Sequence, residues 1–388
     1  MAVRIAAAPR ADQTWTVPLS DVLVDDEIEH AVVQALRSGW WSTGPRVAEL
    51  EQEFARFSGA RHALAVANGT AALHLALLAS GCGPGDEVLV PSLNFVAAAN
   101  TIVHTGATPV FCDISGANDL TVSPDDLEAA VSPRTRAVVV MHYGGHPCRM
   151  DATLELAAMH GLAVIEDAAH APGARWQRRM CGTIGDVGCF SFFSNKNLPV
   201  GEGGMVVTDD DALAEKARLL RSHGMTTLTW DRHRGHASNY DVVVEGFNYR
   251  LDELRAAIAL VQLGRLERQN AERARIVDLF RDALDGVNGL TMPFARRADV
   301  TPAHHLAVLL LPEGGDRSRF RASLVEREIQ TSIHYPPIHR FRAYQEFASR
   351  RALPLTEAVG ERLVTLPLFP HMSDDQVQAV TDAVVSAT

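Results

Sequence analysis

The sequence predicts an α/β protein with a large sheet-containing lobe followed by a smaller α+β lobe. Three observations point there. Short apolar runs separated by helical stretches recur between about His62 and Glu166. A helical pattern then continues almost without a break from Leu251 to about Leu284. Beyond it the pattern mixes strands and helices, and no internal repeat is evident.

Taken in order, Asp25 caps a first helix that places Ile28, Val32, Ala35 and Leu36 on one face and ends at Gly39. A second helix follows Pro45, with Val47, Leu50, Phe54 and Phe57 on its buried side. Strands are expected at His62 to Val66, Glu87 to Val90, Pro109 to Ile114, Ala137 to His142 and Leu162 to Glu166. Ser123, Pro124 and Asp126 read as a helix start, and Gly161 closes the helix before the Leu162 strand. Strands and helices in alternation form a parallel sheet with helices over both faces, from about Leu50 to Arg250. The later lobe is expected to hold a strand at His305 to Leu311, a helix at Arg317 to Arg327, a strand around Ser332 to Tyr335 and a last helix from Ser373.

With 388 residues, 47% of them hydrophobic, the chain can bury a large core. Its net charge of -11 opposes non-specific attraction to nucleic acid or anionic membrane, so an anionic substrate needs a local positive pocket. No apolar run approaches the roughly 18 residues of a spanning helix, and the opening stretch is too short in apolar residues for a signal peptide. A cytoplasmic location is expected. Cys82, Cys112, Cys148, Cys181 and Cys189 are scattered and form no CxxC pair, so neither a disulfide framework nor a metal site is indicated.

The strongest constellation runs from Gly188 to Gly204, an apolar strand opening into a glycine-rich loop that carries Lys196. A partly desolvated lysine loses its proton easily, so its amine can hold an aldehyde cofactor as a Schiff base and later shuttle a proton. Upstream, Asp167 stands at the carboxyl end of a strand, where α/β sheets bind ligands, with Ala169 and His170 just after it. Such a carboxylate can keep a pyridine nitrogen protonated, the small Ala169 lets a ring lie flat, and His170 can donate to a phenolic oxygen. A helix cap and a satisfied core histidine are the plainer readings of Asp167 and His170. Gly69 and Thr70 open a helix after a strand, a phosphate cradle to which Ser191 can add a hydroxyl, although Asn68-Gly69-Thr70 is also ordinary turn chemistry. Phe95 can stack on a ring or simply fill the core.

The order Gly69-Thr70, Pro91 to Phe95, Glu166 to His170, Ser191, Lys196, Gly201 to Gly204 and Gly246 to Arg250 resembles the DegT/DnrJ/EryC1/StrS family of nucleotide-sugar aminotransferases. Thr43-Gly44-Pro45, His223-Gly224-Met225, His334-Tyr335-Pro336 and Leu366-Pro367 extend the match over nearly the whole chain. The resemblance implies a fold type I transferase dependent on pyridoxal 5′-phosphate (PLP). Its large seven-stranded mixed or parallel sheet domain would occupy residues 1–250, and the connecting helix and small α+β domain residues 251–388.

It further implies a homodimer, PLP held as an internal aldimine on Lys196, Asp167 on the pyridine nitrogen, His170 beside the phenolic oxygen, and Phe95 stacked on the ring. Gly69, Thr70 and Ser191 then form the phosphate cradle. Asn248 matches a phosphate contact from the neighbouring subunit, with a cap for the Leu251 helix as its other reading. Arg250 is a candidate for the amino donor's carboxylate or the nucleotide pyrophosphate. Arg232 and Arg234 lie in the densest basic cluster of the chain and are candidate nucleotide-sugar contacts. L-Glutamate is the expected amino donor.

The chain departs from one common family form in His170, Glu202 and Pro199-Val200, which resembles the branch that aminates C4 of a dTDP-4-keto-6-deoxyhexose more than the branch that aminates C3. Two other readings remain open: a PLP-dependent sugar dehydratase, whose relatives often carry histidine in place of the lysine, and a non-catalytic PLP-binding relative.

Overall fold

Seven strands join into one sheet in the computed structural model, which describes residues 15–227, 230, 234, 239–348 and 351–388. In chain order they are β1 (His62–Val66), β2 (Glu87–Pro91), β3 (Thr108–Cys112), β4 (Thr135–Met141), β5 (Ala163–Asp167), β6 (Val187–Ser191) and β7 (Gly204–Thr208). Across the sheet the order is β1-β7-β6-β5-β4-β2-β3. Helices α1 (Asp26–Arg37) and α2 (Pro45–Ser58) precede β1. Helices α3 (Gly69–Ala79), α4 (Ala97–His104), α5 (Pro124–Ala130) and α6 (Met150–His160) fall between the strands, and α7 (Asp211–Arg221) follows β7.

Val, Ile, Leu and Ala fill the strands because both faces are covered. On β1, Ala63 and Ala65 enter one apolar cluster while Leu64 and Val66 enter the other, the period-two alternation of a pleated strand. The sheet is mixed. The pairs β2 with β3, β2 with β4, β4 with β5, and β5 with β6 are parallel, whereas β7 runs antiparallel to both β6 and β1. No helix carries the chain across the sheet between Ser191 and Gly204, so β7 returns directly alongside β6.

The first helices follow the expected caps, with Asp25 accepting from Ile28 N–H and Gly44 preceding Pro45. Leu36, expected on the buried face of α1, is exposed, and Ile28 and Ala35 carry the packing instead. The run expected as one strand from Pro109 to Ile114 breaks after Cys112. There the buried Asp113 carboxylate accepts from the N–H groups of Ile114, Leu355 and Thr356, which draws it out of the ladder. Ser123 caps α5 as expected, while the Asp126 carboxylate turns to Arg351 and Asp113 N–H.

The long helix α8 (Glu253–Leu284) is capped by Asp252, which accepts from Arg255 N–H at 2.9 Å. Asn248 is therefore not its cap, contrary to one of the two readings. After it come β8 (Ala307–Leu310), α9 (Arg317–Val325), α10 (Pro354–Arg362), β9 (Leu363–Leu366) and α11 (Asp374–Ala387). Strand β8 pairs antiparallel with β9, and Ser373 and Gln376 form a capping box on α11. The strand expected at Ser332 to Tyr335 shrinks to one bridge, Ser332 with Thr365, because Pro336 and Pro337 have no N–H to continue a ladder. Ile276 and Phe280 of α8, Leu309 of β8, Leu366 of β9 and Val380 of α11 share one apolar cluster with Val17, whose N–H and carbonyl bond to Glu328 and Gln330.

Candidate active site

Sheet register puts the site together. Gly204 of β7 pairs with Val66 of β1 on one side and Ser191 of β6 on the other, so both strand ends stop on one line. Two residues back on β6, Cys189 lies beside Asp167, which lies beside Met141. Every parallel strand here, together with β1, ends on that edge, the usual mouth of an α/β sheet.

Asn68 caps α3 through its side-chain oxygen on Ala71 N–H at 2.8 Å, leaving the first N–H groups of the helix without intrahelical acceptors. Gly69 faces Ser191 so closely that a Cβ there would stand 2.7 Å from the serine Cβ. The result is a narrow, electropositive notch floored by backbone. One cavity is lined by Gly69, Thr70, Phe95, Asp167, Ala169, His170, Ser191 and Lys196. It also takes in Asn195, Glu202, His334 and Tyr335.

Asp167 is buried, and one of its oxygens accepts from Ala169 N–H at 3.2 Å. No helix follows it directly, so it is not a cap. Burial raises its pKa above the ordinary carboxylate value, opposed by the Ala169 N–H, the Lys196 charge, His142 and the Asn94 amide. Lys196 keeps an open face on the cavity yet is surrounded by protein at longer range. Removal from bulk water lowers its amine to about 8, against the pull of Asp167. An amine near that value is substantially neutral at mildly alkaline pH and is a competent nucleophile.

Neighbouring Glu166 is fully buried and fully satisfied. It accepts from Gly182, Ile184 and Gly185 N–H at 2.6–2.7 Å and from His142 Nε2 at 2.7 Å. His142 Nδ1 accepts from Cys148 N–H, so the ring is a neutral donor through Nε2. Burial by itself raises the Glu166 pKa, but these donors hold it below the ordinary value. A depressed carboxyl contributes stability that is present above its unfolded pKa and lost as the pH falls through the folded value. Glu166→Ala should therefore cost at least about 3 kcal/mol at neutral pH, because four N–H donors lose their buried acceptor, with the difference from the parent shrinking in acid. Denaturant melts at two pH values measure it.

His170 is buried, and its Nδ1 accepts from Gly144 N–H at 3.2 Å, leaving the proton on Nε2, which meets the Tyr335 hydroxyl at 2.9 Å. The tyrosine, rather than the histidine, presents a hydroxyl donor to the cavity. Gly145, at φ 89°, lets the preceding turn press on the backbone of His170 and of His305, where a Cβ would stand 2.9–3.0 Å from backbone atoms. Phe95 is 51% exposed, with its ring 5.6 Å from that of Tyr335.

Other predicted positions fall elsewhere. Asn248 is exposed and bridges to Ser222, and Arg250 bridges to Val66, so neither lines the cavity of its own chain. Arg234 is exposed with its guanidinium 5.8 Å from the Trp230 ring centre, and Arg232 lies outside the described residues. Two cavity neighbours were given no chemical role from the sequence: Tyr335, read there as a strand end and the middle of a His-Tyr-Pro triplet, and His305, whose Nε2 stands 3.5 Å from Lys196 Nζ.

Comparison with known proteins decides the family. The model of the DegT/DnrJ/EryC1/StrS aminotransferase family matches residues 23–385. The chain belongs to that family. It is an aminotransferase with the architecture of fold type I PLP-dependent transferases. Among curated relatives, the spore coat polysaccharide biosynthesis protein SpsC of Bacillus subtilis (strain 168) is 46% identical over 375 residues, spanning 95% of this chain and 96% of that protein. Among solved structures, S. venezuelae DesV in complex with a ketimine intermediate is 38% identical, with a TM-score of 0.85 over 93% of this chain and 94% of that one. The PLP-form of the putative sugar aminotransferase Spr1654 from Streptococcus pneumoniae is 26% identical, with a TM-score of 0.88 over 96% and 98%.

Proposed function

We propose that this aminotransferase moves an amino group from an amino acid, L-glutamate, to a nucleotide-linked keto sugar, at C4 of a dTDP-4-keto-6-deoxyhexose, using PLP held on Lys196. The observation that carries this reading is the meeting of a desolvated lysine, a buried carboxylate and a helix N-terminus around one cavity. The polysaccharide role in the name of SpsC and the description of Spr1654 as a putative sugar aminotransferase support the substrate class. The C4 assignment rests on His170, Glu202 and Pro199-Val200, of which His170 and Glu202 line the cavity.

The residues present fit the cofactor. The backbone-floored notch at Gly69 suits a phosphate, with the N–H groups of the α3 start and the hydroxyls of Thr70 and Ser191 as donors. The open face of Phe95 offers a stacking surface. Bound there, PLP supplies an aldehyde that joins amines and a ring that draws electrons from the adjoining carbon. Asp167 would hold a proton on the pyridine nitrogen, the partner that offsets the cost of its own buried charge. Lys196 Nζ would take a proton from the substrate carbon and return it two atoms along, across the transferred nitrogen, to the cofactor's former aldehyde carbon. Tyr335, whose hydroxyl meets His170 Nε2 at 2.9 Å, would donate its hydroxyl hydrogen toward the ring's phenolic oxygen. Incubation with glutamate and a panel of nucleotide keto sugars, followed by NMR location of the new amine, tests the proposal. Amination confined to C3 would replace the C4 assignment, and transfer to none of the sugars would end the sugar reading.

We further assign a homodimer in which Asn248 serves the partner's phosphate site. Exposed Leu23, Val24, Trp41, Val242 and Val243 are apolar surface suited to burial by a second copy. Diluted below its dimer dissociation constant, the holoenzyme should release cofactor as it dissociates. A monomer in sedimentation that stays fully active at the same concentration contradicts this. A division at Leu251 is supported by the C-terminal apolar cluster, drawn from α8 onward except for Val17. Five free, buried cysteines suit a reducing compartment, the cytoplasm.

Arg250 and the cluster holding Arg232 and Arg234 are assigned to the substrates' anionic ends. Changing Arg232 and Arg234 together to Ala should raise KM for the nucleotide sugar at least about tenfold and leave the half-reaction with glutamate unchanged. Stopped-flow measurement of the two half-reactions separates these outcomes, and no change in either returns the cluster to plain surface.

A further inference from the structure

We propose that His305 is a positioning residue for Lys196: its bare Nε2 accepts a hydrogen from the lysine amine and turns the rest of that amine toward the cavity. The inference rests on the reading of Lys196 as the covalent anchor. Its basis is the tautomer, which the surrounding amides determine. Asn197 Nδ2 donates to the Ala303 carbonyl and to Asn270 Oδ1, each at 2.7 Å, so both amide hydrogens are engaged and the amide cannot be turned over. Asn270 is itself held by its own donation to the Pro172 carbonyl at 2.9 Å.

Asn197 therefore presents an oxygen to His305 Nδ1 at 3.0 Å. An oxygen there only accepts, so Nδ1 carries the hydrogen. His305 is 5% exposed, and burial strongly disfavours its charged form. A neutral ring protonated at Nδ1 has a lone pair at Nε2. That lone pair faces Lys196 Nζ at 3.5 Å. The distance lies at the outer limit of a hydrogen bond, which suits an orienting contact better than a tight one.

The other charged or titratable neighbours do not supply this contact. Asp167 of β5 is the anion facing the lysine, and Arg273 of α8 is the other cation near His305. His170, whose ring centre is 4.2 Å from that of His305, has both nitrogens occupied by Gly144 and Tyr335. His334 is held neutral by burial, at about 4, with Nδ1 on the Thr365 hydroxyl, and Tyr335 is kept protonated by burial. Once the lysine is neutral, one N–H directed at His305 leaves its nitrogen lone pair free to face an aldehyde.

A ring that only filled space would be replaced better by Phe than by Gln. An acceptor would be replaced better by Gln than by Phe, so the two variants separate the readings. The assay uses the full-length chain freed of cofactor, combined with pyridoxal phosphate across a pH series and trapped with borohydride, where the amine adds to the aldehyde as water leaves. Capture by the parent should rise through a midpoint near 8. In His305→Phe the ammonium loses an acceptor that water cannot replace, so the midpoint should fall by about one pH unit, a tenfold change in proton affinity. His305→Gln should restore the parent midpoint. A Phe variant with the parent midpoint, or a Gln variant displaced as far as Phe, overturns the inference.

Nitrogen NMR of the His305 ring in the parent gives a check that needs no variant. A bare Nε2 with a protonated Nδ1 supports the assignment, and the opposite tautomer overturns it. Failure of the parent itself to form a trapped adduct strikes the anchor reading of Lys196, a result visible before any variant is made.

Discussion

Lys196→Ala should leave a folded chain that still takes up PLP, but only reversibly, and its transamination rate should fall by at least about 10⁴-fold. In the proposed mechanism one amine supplies both the covalent hold and the movable proton, so its loss removes both at once. The phosphate notch at Gly69 and Ser191 and the Asp167 carboxylate survive the change, which is why binding persists. Borohydride treatment followed by mass measurement checks the hold, and single-turnover kinetics with glutamate check the proton transfer. Normal turnover in this variant would remove Lys196 from the mechanism.

Asp167→Asn should cut the rate on the order of 10³-fold and leave the melting temperature of the cofactor-free chain equal to or above that of the parent. The two effects have one cause. Burial raises the Asp167 pKa, so its favourable contribution to folding is present below the unfolded carboxylate value and is lost as the pH rises through the folded one. Above its folded pKa the empty site carries a buried charge at a net cost, which a neutral amide removes. The same charge is the one a protonated pyridine requires as the carbanion develops. Activity within a few-fold of the parent would make Asp167 a structural residue. A sharp loss of stability would instead mean that its bond to Ala169 N–H holds the loop in shape.

Much of the site was legible in the sequence because its members sit where chain direction changes. Lys196 follows a strand, Asp167 ends one, and Gly69 opens a helix after another, so their chemical character stands out against apolar surroundings. His305 and Tyr335 were not legible. Nothing near His305 in sequence reveals that the residues before β8 come to lie against the lysine loop, although a His304-His305 pair ahead of a buried strand was a usable signal. Tyr335 was read as the end of a strand, and only the absent N–H groups of Pro336 and Pro337 explain why it leaves the ladder. Strand β7 was not expected at all, because its apolar run follows directly on the glycine-rich loop. A buried apolar strand looks the same whether paired parallel or antiparallel, and what distinguished it was the lack of a helix between residues 191 and 204.

The line Val66, Gly204, Ser191 has a consequence for how the enzyme matures. The notch proposed for the phosphate is built by no one segment: α3 brings the N–H groups and β6 the hydroxyl, and the two strands that end there, β1 and β6, both pair with β7. Sliding β7 by a single residue would reverse which of its side chains face each core and would separate the two halves of the notch. With the cofactor's phosphate in that notch, as proposed, its uptake would report that the strand which is last of the seven in sequence has found its register. Because a ligand that binds only the finished form draws the population toward it, scarcity of the vitamin-derived cofactor in a growing cell should appear first as a larger share of incompletely sealed sheet, open to proteolysis around residues 192–203, before it appears as lost turnover per folded molecule.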